Sequence, residues 1–440
     1  MSALPQQILP AVAVAELPQS HASPDEDWAV PGAPAYRRIS FALFVAGFAS
    51  FSLLYCVQPL LPLFSADFQI SPASSSLALS LTTGSLALAI LGAGALSESV
   101  GRKELMFGSM ALAAVLNLAA ALIPGWPALL LARTLEGLAL GGVPAVAMAY
   151  LAEEIHPRGL GLSMGLYVGG TAFGGMAGRV GMSVLSDFYS WHAAMVAISV
   201  VDLLAAAAFA AILPPSRHFV RRAGIGIGYH LRAWHGHLRH AGLARLFLIG
   251  FLVMGVFVTV YNYAGFRLTA PPYRLSQTSI GLIFSAYLFG IVASSIAGAL
   301  ADRLGRAPVL IGGVLIFAAG LAMTLLHNLA AIIGGISVMT VGFFVAHTVA
   351  SGWVGRLGGQ SKSHAASLYL LTYYAGSSLL GSCGGWFWQA GGWPSVSAFC
   401  AVLLIVALLA ALASRREEAS ASSTLPAAPR MAAAPQEIHQ

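Results

Sequence analysis

Four ionisable side chains stand inside long apolar runs of this 440-residue chain: Arg133, Glu136, Arg179 and Asp202. An ionised group at membrane depth costs about 2.5–3.5 kcal/mol on insertion scales, so each is a functional candidate by default. Arg133 and Glu136 are three apart and share one helix face. Burial favours the neutral form of such a carboxyl and a neighbouring arginine favours its charged form. Those opposing pulls suit a group that gains and loses protons near neutral pH. A permanent structural ion pair is the other reading. Asp202 has no partner in its own run and is either a second proton site or the mate of an arginine on another helix. Arg179, toward the outer end of its run, closes a gate, attracts an anionic substrate or neutralises Asp187.

A second group of residues suits recognition rather than proton chemistry. Gln58 and Asn262 are amides 204 residues apart. Two amides at equivalent depth in two repeats can hydrogen-bond a molecule held between them, where cargo sites of repeat-built transporters lie. Tyr261, Tyr263, Tyr369, Tyr373 and Tyr374 offer aromatic walls with polar tips. His347, toward the cytoplasmic end of the tenth span, is a titratable candidate for the same cavity. For each residue alone, helix packing is the competing explanation.

A third group repeats. Gly94-Ala95-Leu96-Ser97-Glu98-Ser99-Val100-Gly101-Arg102-Lys103 is echoed by Gly298-Ala299-Leu300-Ala301-Asp302-Arg303-Leu304-Gly305-Arg306-Ala307, again 204 residues on. Gly94 and Gly298 permit close helix approach, and Gly101 and Gly305 a tight turn. Glu98 and Asp302 can meet guanidinium groups and helix ends. Such contacts form in one conformation and break in another, which makes both copies candidate gates, with Arg102, Lys103, Arg303 and Arg306 as their cations. Fixing topology is the simpler alternative.

The elements that position these residues follow from composition. Only 9% of residues are charged, against about 25% in soluble proteins, and mean hydropathy is +0.80. Such a chain belongs in lipid. Runs of about 20 apolar residues cross a bilayer. Twelve are predicted, near 40–63, 77–97, 104–123, 127–150, 160–183, 191–213, 244–267, 279–301, 308–327, 330–353, 365–388 and 394–413. The fold class is therefore all-α integral membrane, with two pseudo-symmetric six-helix bundles at 40–213 and 244–413. A basic linker, 214–243, joins them. Proline-rich residues 1–39 and residues 414–440 read as disordered tails. Eighteen of the 22 Lys and Arg residues fall on one side, which predicts cytoplasmic termini and linker. The implied site is a bacterial inner membrane.

The repeated loops resemble the signature of the major facilitator superfamily between helices 2 and 3 and between 8 and 9. The resemblance covers about residues 36–414. The second copy fits closely, and the first carries Glu98 where Asp is usual. It implies two six-helix halves rocking about a central site. Leu131-Ala132-Arg133-Thr134-Leu135-Glu136-Gly137 resembles the family's helix-4 motif, whose arginine is associated with proton transfer, although Gln is commoner at the position of Glu136. Tyr55–Pro62, Tyr261–Arg267 and Tyr373–Ser378 are similar to the YnfM-like branch of drug- and sugar-efflux-type members. Exporters of the family often carry Gly-Pro-x-x-Gly-Gly on helix 5. Here Gly170-Thr171-Ala172-Phe173-Gly174-Gly175 lacks the proline, and Gly170, Gly174, Gly175 and Gly178 suit helix packing equally well.

Other chemistries are excluded. Gly161-Leu162-Ser163-Met164-Gly165 matches a hydrolase pattern that needs a strand-to-helix elbow, whereas here it opens a membrane helix. No phosphate-binding G-x-x-x-x-G-K loop occurs. His218, His230, His235, His237 and His240 in the linker lack a cysteine or carboxylate among them, so a basic, lipid-facing linker is favoured over a metal site. The expectation is a monomeric, cofactor-free, proton-coupled antiporter exporting a small organic molecule, not an enzyme. Its partners are solute, protons and the bilayer, with no nucleic acid and no metal. Proton symport into the cell is the alternative on the same scaffold, and a non-transporting sensor or scaffold is a third reading.

Overall fold

The computed structural model describes residues 28–218 and 227–423. Apart from one bridge between Ala29 and Ile155, the described residues are helices and turns. The first half holds α1 (Pro34–Tyr55), α2 (Leu61–Asp67), α3 (Pro72–Val100), α4 (Arg102–Leu122), α5 (Trp126–Leu140), α6 (Pro144–Glu154), α7 (Pro157–Phe188) and α8 (Trp191–Ile212). A connecting helix, α9 (Ile227–Arg239), precedes α10 (Ala241–Thr269), α11 (Gln277–Ile283), α12 (Tyr287–Leu304), α13 (Arg306–Met323), α14 (Leu329–Leu357) and α15 (Lys362–Ser423).

Ten of these helical stretches are long and apolar enough to cross a membrane. One of them, α15, makes two crossings: it reverses at Gly391–Gly392, where Gly392 takes φ +62° and Pro394 follows. Phe387 and Phe399 then stack at 4.4 Å across that hairpin. The twelfth crossing is α7, a 32-residue helix whose many glycines make it less apolar than the others. The described part departs from the sequence expectation at the ends of the bundles. Residues 28–33 pack on the body, with Ala29 N–H donating to the Glu154 carbonyl and Trp28 stacking on His218. The first helix starts at Pro34, the last runs to Ser423, and the linker holds a helix.

Two local rules set the geometry of the site. Pro59 has no N–H, so α1 cannot continue past it; the chain passes through a 3-10 turn at Gln58–Leu60 before α2 resumes. Glycine provides the second. Gly174, against the Phe48 carbonyl, and Gly178, against Ser52, let α7 lie on α1 with no room for a Cβ. The equivalent contact recurs in the second half, where Gly376 of α15 lies on the Phe251 carbonyl of α10. Outward-facing apolar residues such as Leu131, Leu204, Val292 and Val402 are well exposed and form the lipid-facing surface.

The described hydrogen bonds between the halves gather at the face opposite the basic loops. Ser378 donates to the Ser80 carbonyl, Ser382 to the Ser80 hydroxyl, and the Thr278 N–H to Asp187. Gly281 of α11 sits on Ser183 of α7 at the same end. Toward the basic face, by contrast, Gly161, Gly165 and Gly169 of α7 meet nothing. The halves are thus joined at the end opposite the basic loops.

Candidate functional site

The break in α1 organises the first half. Arg133, fully buried on α5, donates to the Leu53 and Leu54 carbonyls at 3.3 and 3.0 Å, just before the break, and to the Ala78 carbonyl at 3.2 Å. Its Nη1 also reaches Glu136 Oε2 at 2.6 Å and Asn117 Oδ1 at 3.2 Å. Asn117 Nδ2 in turn donates to the Ser199 hydroxyl at 2.9 Å. One guanidinium therefore ties α1, α3, α4 and α5 together. The opposing carboxyl is incompletely satisfied, because Glu136 Oε1 has no hydrogen-bond partner among the described residues.

Asp202 is fully buried on α8 and neither of its oxygens has a hydrogen-bond partner among the described residues. Its polar neighbours are Ser52 and Glu136. It does not pair with an arginine, which removes one of the two readings open from sequence. A charge isolated this deeply is costly, and the Glu136 carboxyl is close enough to add to that cost.

A second polar chain crosses from one half to the other. Arg179 Nε of α7 donates to Gln58 Oε1 at 2.6 Å, and Gln58 Nε2 donates to Asn262 Oδ1 of α10 at 2.8 Å. Arg179 Nη1 also donates to the Gly175 carbonyl at 2.7 Å. In this conformation both amides are spent on each other and on the arginine. Arg179 does not neutralise Asp187, which accepts instead from Thr278 N–H at 3.1 Å. The guanidinium lies over Tyr55 at 4.1 Å, Tyr287 at 4.9 Å and Phe284 at 5.3 Å.

The second half contributes the aromatic wall. Phe257 and Phe343 stack at 3.8 Å, and His347 continues the stack, 5.8 Å from Phe343 and 4.7 Å from Tyr373. His347 Nδ1 shares a 2.9 Å hydrogen bond with the Tyr369 hydroxyl. Tyr261 bonds Thr340 at 2.8 Å, and Tyr374 packs edge-on against Tyr373. Tyr263 turns away from this wall: its hydroxyl donates to the Gly381 and Ser382 carbonyls, along the seam with α15.

The two repeated loops behave differently. Gly101 and Gly305 both adopt positive φ, +115° and +90°, making the α3–α4 and α12–α13 turns. Arg102 forms a two-pronged pair with Glu153 at 2.6 and 3.1 Å, and Lys103 donates to the Leu213 carbonyl at the end of α8. In the second copy Asp302 is exposed and lies 3.5 Å from Arg306, while Arg303 is also exposed. Close approach fails at Gly298, which meets nothing within 4 Å. The Glu98 side chain and the surroundings of Gly94 lie outside the described residues.

Gly170 rests on Phe44 of α1, and Gly175 lies beside the Arg179 head group. In the linker, His230 bonds His364 at 2.9 Å and His237 bonds Ser361 at 2.9 Å, so α9 is fastened to the start of α15. Sequence reasoning passed over Asn117, Ser199, Tyr287 and Phe284. Asn117 had a signal, as an amide alone in an apolar helix; the other three carry none of that kind.

The family model described as Major Facilitator Superfamily matches residues 43–270 and again 255–437. The chain is 46% identical to the uncharacterized MFS-type transporter YybF of Bacillus subtilis (strain 168), over 86% of this chain and 93% of that protein. It is 44% identical to the inner membrane transport protein YnfM of Escherichia coli (strain K12), over 86% and 90%. Among solved structures, a bacterial homolog of the human lysosomal transporter Spinster, inward-facing and unoccupied, aligns with TM-score 0.71 at 13% identity, covering 87% of this chain and 97% of that one. A variant of the nucleoside transporter NupG aligns with TM-score 0.70 at 13% identity, covering 86% and 99%. The structural likenesses carry the fold and nothing finer.

Proposed function

This chain belongs to the major facilitator superfamily and is a multi-pass membrane transporter, not an enzyme; from that premise we propose that it is a proton-coupled antiporter exporting small organic molecules by alternating access. The observation that carries the reading is the pair of incompletely satisfied carboxyls, Glu136 and Asp202, beside the α1 break that also carries Gln58. Protonating Glu136 weakens its hold on Arg133. Arg133 is then free to shift on the Leu53 and Leu54 carbonyls, which lie directly before the Gln58 turn. A proton event in the first half thereby reaches the Arg179–Gln58–Asn262 latch that joins both halves.

In the cycle, solute enters from the basic face, where the halves are not latched. Binding and deprotonation then exchange the outer latch for contacts at the basic loops, Arg102–Glu153 among the groups that rearrange. The basic loops support cytoplasmic termini in a bacterial inner membrane, with the transporter working as a monomer. One proton moving down about 100 mV supplies about 2.3 kcal/mol, enough for roughly a fifty-fold gradient.

Purified protein in proteoliposomes tests the reading. Glu136→Gln and Asp202→Asn are each expected to abolish pH-driven solute flux while leaving solute counterflow. If both variants keep pH-driven flux, the coupling assignment is wrong. Flux down an imposed proton gradient in the same direction as the proton would make the protein a symporter.

A further inference from the structure

We propose that the solute is an organic anion, a carboxylate on a flat aromatic body, and that its carboxylate is held by Arg179 beside Tyr55 and Tyr287. This rests on the transport reading above and narrows its substrate. Arg179 is 1% exposed, yet among the described residues no carboxylate lies within ion-pair distance of it. Glu136 is already engaged by Arg133, Asp202 lies against Ser52 and Glu136, and Asp187 bonds Thr278. Buried charges in proteins are otherwise paired. Aromatic faces at 4.1 and 4.9 Å attract the guanidinium without cancelling its charge.

A second observation points to the same ligand. Tyr55 and Tyr287, whose rings face the guanidinium, carry hydroxyls with no hydrogen-bond partner among the described residues. A guanidinium with two such phenols beside it is complementary to an oxyanion. A cation would be repelled there, and a neutral sugar would leave the charge uncompensated. The stacked Phe257, Phe343, His347 and Tyr373 rings offer a flat wall for an aromatic body.

The same geometry makes the solute a trigger. Arg179 Nε now rests on the neutral amide of Gln58. A carboxylate is the stronger acceptor for a guanidinium. Binding therefore draws Arg179 from Gln58 and loosens the bridge to Asn262, coupling occupancy to release of the outer face.

Binding of benzoate, benzamide and benzylammonium to the full-length protein in lipid nanodiscs, by calorimetry, separates the charges on one ring. Benzoate is expected to bind at least tenfold tighter than either relative. Arg179→Met should level benzoate with benzamide, and Arg179→Lys should restore part of the preference, which also guards against a folding defect. Equal or tighter binding of benzamide or benzylammonium, or no binding of benzoate, would overturn the anion assignment. So would an undiminished benzoate preference in Arg179→Met. Each of these results leaves the proton-coupling test with Glu136 and Asp202 untouched, so the two ideas fail separately.

Discussion

Gln58 and Asn262 occupy corresponding places in the two halves, 204 residues apart, and hydrogen-bond each other at 2.8 Å across the interface. The repeated loop motifs have the same offset, so the duplicated chain meets itself at a pair of amides. Arg179 extends the bridge to a third helix.

Breaking that bridge should open the face opposite the basic loops, the outer one in the proposed orientation. Gln58→Leu leaves Asn262 and Arg179 short of a buried partner, at a cost of about 1–3 kcal/mol. A shift near 1.4 kcal/mol changes the ratio of outer-closed to outer-open forms about tenfold. A cysteine placed at Ser382, with the native cysteines replaced, should react correspondingly faster with a membrane-impermeant maleimide applied from the outer side. An unchanged labelling rate would mean that the serine contacts, not the amides, hold this face.

Arg133 is expected to matter for stability more than its partner does. Arg133→Ala strands Glu136 and removes the donor to four other oxygens. Loss of one partner from a buried pair costs about 3–5 kcal/mol. Glu136→Gln keeps an acceptor for the guanidinium and should cost less. Thermal unfolding in detergent would show the order, and equal losses would argue against the hub role.

Close packing of α7 on α1 predicts a position-dependent glycine scan. A Cβ at Gly174 would collide with the Phe48 carbonyl, whereas one at Gly165 meets nothing. Gly174→Val should lower the unfolding temperature sharply or abolish the folded yield. Gly165→Ala should be neutral or gain up to about 1 kcal/mol from helix propensity. Size-exclusion profiles after graded heating would separate the two.

The linker helix is held by two imidazole contacts, His230 to His364 and His237 to Ser361. Replacing both linker histidines by alanine should free α9. Trypsin cleavage at Arg232 and Arg239, followed by mass spectrometry, is expected to accelerate several-fold. Cleavage at the wild-type rate would mean that apolar contacts alone dock the helix.

How much of this was legible beforehand varies by residue and by the length of chain separating partners. The Arg133–Glu136 pair was readable because three residues of helix place both on one face, whatever else the protein does. The Gln58–Asn262 relation was half readable: repetition marked them as equivalent, but their bonding to each other depends on which face of the bundle is closed. Asp202 illustrates the opposite limit. Its depth was plain, whereas its lack of a partner is decided by side chains on other helices, Ser52 of α1 and Glu136 of α5 among them.

Span count, duplication, the basic side and the buried charges follow from sequence alone, because hydropathy, repetition and helical spacing are local properties that lipid enforces on any arrangement. The seating of Arg179 on Gln58 rather than Asp187, the unequal use of the two loops, the open space at Gly298 and the phenols gathered around an unpaired guanidinium come from tertiary structure. They depend on how helices distant in sequence pack on one another, as with Arg179 and Gln58, 121 positions apart, and only that packing sets the distances.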